Sequence, residues 1–116
     1  MPPQWLIPDP ERGDCVKLAS AAMQNDEMSV GLGDALSDEG RTPESMLEGP
    51  QFDGFGLVAL PAGTAREFKQ IVCRDPVDDE PVHGLVVGNK KKRKRDLARA
   101  SKWVVAPDGA CEPPAV

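Results

Sequence analysis

Six consecutive cations, Lys90, Lys91, Lys92, Arg93, Lys94 and Arg95, form the densest group of like charge in the chain, and Arg99 follows one helical turn later. With Lys102 included and Asp96 subtracted, residues 89–103 carry a formal +7, which leaves −12 on the rest of the chain for a net of −5. The mild total therefore conceals a strong separation of charge. Cations opening a helix oppose its dipole, because the exposed N–H groups there are already partly positive, so local stability does not account for them.

Two arrangements would compensate the cluster. The acidic loop holding Asp75, Asp78, Asp79 and Glu80 could fold back over it, as a solvated set of pairs contributing only about 0–1 kcal/mol each. Otherwise an external anion fills the role. A glycine-ended strand followed by a basic helix start supplies backbone donors, dipole and side-chain charge together, the combination that holds phosphate. The string GNKKK lacks the second glycine and the Ser/Thr of a Walker loop, so nucleotide hydrolysis is not indicated. The expected partner is nucleic acid or the acidic face of a protein, bound through Lys90, Lys91, Lys92, Arg93, Lys94, Arg95 and Arg99. Base reading is not expected, since Trp103 is the one aromatic residue nearby. In a eukaryotic cell the same hexapeptide would read as a nuclear localisation signal.

His83 is the single imidazole and the one side chain suited to general-base work near neutral pH. Paired with Asp79 or Glu80, and with the basic segment holding a phosphorylated substrate, it would make a small enzyme or toxin. The structural alternative, a histidine hydrogen-bonded to a neighbouring loop, is the commoner outcome for such a residue. A third reading is an immunity or antitoxin-type protein whose acidic loops neutralise a basic partner. Asp78 and Asp79 are adjacent and point to opposite sides of an extended chain, a poor metal pair. No metal site, cofactor or catalytic residue beyond the weak candidate His83 is expected.

Cys15, Cys73 and Cys111 are odd in number, far apart in sequence and without zinc-type spacing, so neither a disulfide nor a metal site is expected. The chain opens without a basic, apolar leader, and no run approaches the ~20 apolar residues of a membrane helix. The expectation is a soluble cytoplasmic protein with reduced thiols and no membrane partner, or a nuclear one if the source is eukaryotic.

The elements that must position these groups follow from periodicity. Leu6 and Ile7, hemmed in by prolines, predict an edge strand docked by Trp5. Alternation over Val16–Ser20 and Met28–Leu32 predicts two half-buried strands with a polar loop, 21–27, between them. After Leu32 comes a loop with room for a helical turn, and Thr42, Pro43 and Glu44 signal a short helix to about Glu48. The continuous apolar run Phe55–Leu60 predicts the central, doubly buried strand. A helix over 62–69, a strand at Ile71 and Val72, a second buried strand over 83–88, a basic helix over 91–102 and a last strand over 103–106 complete the order.

At 116 residues, with 40% hydrophobic and 28% charged side chains, the chain suits one core. Twelve prolines and eleven glycines imply many turns. The expected fold is a single α+β domain over 1–106, with about five short strands and two or three helices, followed by a flexible tail over 107–116.

The succession MSVGLGD, TPESMLEG, FGLVAL and PVHGLVVGNKKKRKRDLARASKWVV, from Met28 to Val105, resembles a scattered group of small bacterial proteins of unknown function. His83, Gly88 and Lys91 sit at matching places. The resemblance implies a bacterial origin and a similar α+β fold, and carries no activity with it.

Overall fold

The computed structural model describes residues 1–116. Its first strand, β1 (Leu6–Asp9), pairs antiparallel with β2 (Cys15–Leu18), Leu6 opposite Leu18 and Asp9 opposite Cys15. Pro8 is tolerated within β1 because that strand has a free edge where no N–H is needed. Asp9 closes the hairpin: its carboxylate accepts from the Glu11 amide at 3.1 Å and from Arg12 Nε at 2.7 Å. Gly13 and Asp14 then take left-handed conformations, with φ of 71° and 62°.

The other edge of β2 is covered by the stretch expected to be a flexible tail. Val16 N–H donates to Gly109 O, Cys111 N–H to Val16 O and Leu18 N–H to Pro114 O, each within 2.9 Å. Arg12 Nη1 adds a bond to Pro113 O, and Cys111 and Pro114 are buried. Cys111 is also disulfide-bonded to Cys15, with a Cα–Cα separation of 5.1 Å. These contacts correct two expectations. Residues 107–116 are a docked strap, and Cys15 and Cys111 are not reduced thiols. Separation along the chain hid a pair that β2 and the strap bring face to face; Cys73 alone is free.

The largest sheet has the order β3-β6-β5, all antiparallel, from β3 (Glu27–Gly31), β5 (Ile71–Arg74) and β6 (His83–Val87). Its central strand is therefore β6, and the alternation of buried Gly84 and Val86 with half-buried neighbours fits a strand between two others. Gly84 is required there, because a Cβ would lie 2.7 Å from the Leu32 side chain and 2.8 Å from Cys73 O. The run Phe55–Leu60, expected to be central, yields only β4 (Leu57–Ala59), paired with β7 (Lys102–Val105) in a separate two-stranded sheet. Nor is β4 buried on both faces: Leu57 and Val58 are half-buried and Ala59 is exposed, so the apolar run reflects the packing of Val58 and Leu60 against Leu18, Met23, Leu97 and Ala98 and not a place at the centre of a sheet.

Three short helices complete the α+β fold: α1 (Gly33–Asp38), α2 (Ala62–Glu67) and α3 (Lys94–Ala100). The helix signalled at Thr42 is a 3-10 turn over Pro43–Leu47, and Thr42 makes no side-chain cap; Ser45 Oγ donates to its carbonyl instead. Residues 21–27 are not wholly loop, since Ser20–Met23 forms a 3-10 turn that buries Met23.

Two apolar clusters hold the elements together. Leu18, Met23, Leu97 and Ala98 join β2, the Ser20–Met23 turn and α3, with Met28, Val58, Leu60, Phe68 and Trp103 packed around them. Ala35, Leu36 and Val82 join α1 to the approach of β6. The body measures 41 × 33 × 19 Å, and a slab this thin has little interior, which is why only 17 residues are buried.

Candidate functional site: an uncovered basic row

The basic segment begins where β6 stops. Gly88, with φ 154°, breaks the strand, and Gln70 fills the space a Cβ would need, its Oε1 2.7 Å from that position. Asn89 then turns the chain, its Oδ1 accepting from the Lys91 amide at 3.0 Å. The next residue departs from expectation. Lys90 is 0% exposed, and its ammonium donates to Val86 O at 2.7 Å, Asp26 O at 3.1 Å and Gly88 O at 3.2 Å. Burial holds the Lys90 ammonium below the ordinary lysine range, and Asp26 offsets this in part. Lys90 ties β6 to the chain entering β3 and faces no external anion, so it leaves the set of candidate binding residues.

Lys91, Lys92 and Arg93 form the turn that leads into the helix. Arg93 and Lys94 N–H donate to Lys90 O at 3.0 and 2.8 Å, and Leu97 N–H donates to Arg93 O at 2.9 Å. Helix α3 continues this path and buries Leu97 and Ala98 against the Ser20–Met23 turn. That anchoring sends the remaining cations outward. Lys91, Lys92, Arg95 and Arg99 are exposed, and Arg93 and Lys94 are half-buried. Lys91, Lys92, Lys94 and Arg95, with Asp96, surround a shallow hollow of about 270 Å³ that no hydrophobic side chain lines. Arg95 also borders a second hollow of about 240 Å³, which includes Lys17, Arg99, Asp9 and the strap residue Ala115.

The carboxylates expected to compensate this cluster are engaged elsewhere or turned away. Glu80 takes a two-pronged bond from Arg41, Nη1 to Oε1 at 2.7 Å and Nη2 to Oε2 at 3.2 Å. The hydrogen bond from Arg41 holds the Glu80 carboxyl below its usual range despite desolvation. Val77 and Glu80 exchange backbone bonds in a tight turn that leaves Asp78 and Asp79 exposed and outside any ion pair. No carboxylate oxygen lies within 4.0 Å of a charged nitrogen between Lys90 and Arg95, or of Arg99.

His83 pairs with neither Asp79 nor Glu80. Its Nδ1 lies 2.8 Å from Asp75 O and 3.2 Å from Asp75 Oδ2. A carbonyl only accepts, so Nδ1 carries the proton and Nε2 is left as the acceptor in the neutral ring. His83 opens β6 and the basic segment follows its end, so at least ~13 Å of strand rise lies between them. The fold does not bring His83 and the cations into one site. Trp103 is likewise withdrawn: its indole N–H donates to Cys111 O at 2.8 Å while the ring packs on the main cluster. No group of three or more His, Cys, Asp or Glu side chains is placed to hold a metal ion.

Sequence reasoning missed the burial of Lys90 and the Arg41–Glu80 pair. A weak signal for the first was available. A lysine two residues after a glycine that breaks a strand lies within reach of the carbonyls at that strand's end. Comparison of the chain with protein-family models, with curated proteins and with solved structures found no match.

Proposed function

We propose that the protein is a non-enzymatic binding module that engages an anionic partner, nucleic acid or an acidic protein face, through Lys91, Lys92, Arg93, Lys94, Arg95 and Arg99. One observation carries the reading. These cations crowd one short stretch of surface, yet no carboxylate of the protein lies within ion-pair distance of them, although the rest of the chain carries −12. Like charges held this close raise a positive potential that an external anion relieves.

The enzymatic alternative requires His83 and the cations to share a substrate, and the length of β6 keeps them apart. The neutralising alternative retains the exposed Asp78 and Asp79 turn as its surface, without an observation to prefer it. A bacterial source belongs to the same proposal. No helix is long and apolar enough to cross a membrane. The Cys15–Cys111 bond stands against a cytoplasmic location, because cytosolic thiols are normally kept reduced.

The test is charge reversal. Lys91→Glu, Lys92→Glu and Arg93→Glu together are expected to abolish binding of both DNA and poly-glutamate at low salt, as read by fluorescence anisotropy, whereas His83→Ala retains it. Undiminished binding by the triple variant overturns the reading.

A further inference from the structure

We infer that the anionic partner is double-stranded nucleic acid, held by its phosphate backbone along a row formed by Lys91, Arg95 and Arg99 with Lys92 beside it. The inference rests on the anion-binding reading above and narrows it to one class of partner. Three observations carry it.

The first is geometric. Arg95 and Arg99 recur at four-residue spacing on α3, Lys91 stands in the turn that leads into it, and all three are exposed. On the helix Arg95 and Arg99 stand ~6 Å apart along the axis, and Lys91 continues the row beyond its first turn. Each strand of a duplex presents one phosphate per ~3.4 Å of axis, so Arg95 and Arg99 span about two phosphates of one strand, and Lys91 and Lys92 supply a cation for about two more. Lys92 stands next to the row and lines the same hollow as Lys91 and Arg95.

The second is the lining. No hydrophobic side chain borders that hollow, and Asp96 is its one acid. A protein partner needs an apolar centre, enriched in aromatic residues and depleted in lysine, to exclude water. Phosphate contacts need only charge and hydrogen-bond donors. The chemistry of this surface therefore favours a nucleic-acid backbone over an acidic protein face.

The third concerns strandedness. Single strands are held largely by stacking bases on aromatic rings. The one aromatic ring close in sequence, Trp103, is half-buried against the main apolar cluster with its N–H committed to Cys111 O. Without a stacking platform, the denser charge of a duplex is the better target, and base sequence goes unread.

The experiment measures anisotropy of a short labelled DNA duplex of arbitrary sequence against the full chain from 50 to 200 mM salt. With four phosphates neutralised the expected slope of log K on log salt is about −3.6, a weakening of about 150-fold across that range. Arg95→Gln is expected to reduce the slope by about 0.9. Arg66→Gln, the same change of net charge on an exposed position of α2, is expected to leave the slope unaltered. The corresponding single strand should bind more weakly, and a scrambled duplex within about twofold of the first. Tighter binding of the single strand, or a slope indifferent to Arg95→Gln, overturns the inference. Binding of poly-glutamate without binding of the duplex overturns it too, while leaving the general anion-binding reading in place. Failure to bind either probe at the lowest salt removes both.

Discussion

A lysine surrounded by three carbonyl groups behaves as an internal clamp, and Lys90 plays that part at the head of a basic run. Its ammonium donates to the Val86, Gly88 and Asp26 carbonyls where β6 breaks, the last of which also accepts from the Gly88 amide at 2.9 Å. Lys90→Met keeps the stem and removes the donors, so buried acceptors lose their partners. The expected cost is about 1–3 kcal/mol in urea unfolding, against a change within about 0.5 kcal/mol for Lys91→Met at the exposed neighbouring position. The pH dependence has a definite sign. Because burial lowers the folded-state pKa of Lys90, the unfolded chain holds that proton more tightly. Wild-type stability relative to Lys90→Met therefore rises as pH climbs from the folded to the unfolded lysine value. From sequence, six cations in a row look equivalent. Only the position of the strand end separates the one turned inward from those turned out.

Among the elements, the acidic turn at 77–80 is set by its connection to the segment following α1. Arg41 reaches Glu39 as well as Glu80, and its Nε donates to Ser45 Oγ at 3.2 Å, so one guanidinium joins α1, the Pro43–Leu47 turn and the approach to β6. This keeps Glu80 away from the cations of α3. Glu80 is held below the usual carboxylate range, and so is Asp9 through its hydrogen bond from Arg12. Both contribute stability that is present above the unfolded carboxylate pKa and is lost as pH falls through the folded value. Arg41→Met returns Glu80 toward its ordinary value. The acid limb of the stability curve, followed by circular dichroism, should then fall less steeply with pH, with lower stability at neutrality; an unchanged limb would show that the pair is without consequence.

Strand positions were legible at this scale because alternation survives in short segments: β2, β3, β5, β6 and β7 lie within two residues of their expected starts. Rank within the sheet was not legible. FGLVAL is the more apolar run, yet HGLVVG takes the centre, and part of the difference lies in Gly84, whose missing side chain admits Leu32 on one face of β6. The Ser20–Met23 turn was missed because its alanines carry no turn signal, although Met23 anchors the contact with α3 that fixes the direction of the basic row.

Across the whole molecule, a thin body with few buried residues depends on cross-links to hold its layers. The Cys15–Cys111 bond spans a sequence separation of 96 and restricts the unfolded chain accordingly. Cys15→Ala with Cys111→Ala is expected to cost about 2–5 kcal/mol in denaturant unfolding. In the unreduced protein, alkylation under denaturing conditions should label one thiol, Cys73; labelling of three would mean that the bond does not form. The α+β class was readable from the mixture of periodicities. The covalent pairing was not, since it arises only when the strap returns to β2.

The same bridge makes a closed circle of the backbone from residue 15 to residue 111, with the entire β3-β6-β5 sheet and the cationic row inside it. A protease that nicks an exposed bend such as the one at Asp78 and Asp79 would therefore leave both pieces attached through sulfur, travelling as one species until a reductant parts them.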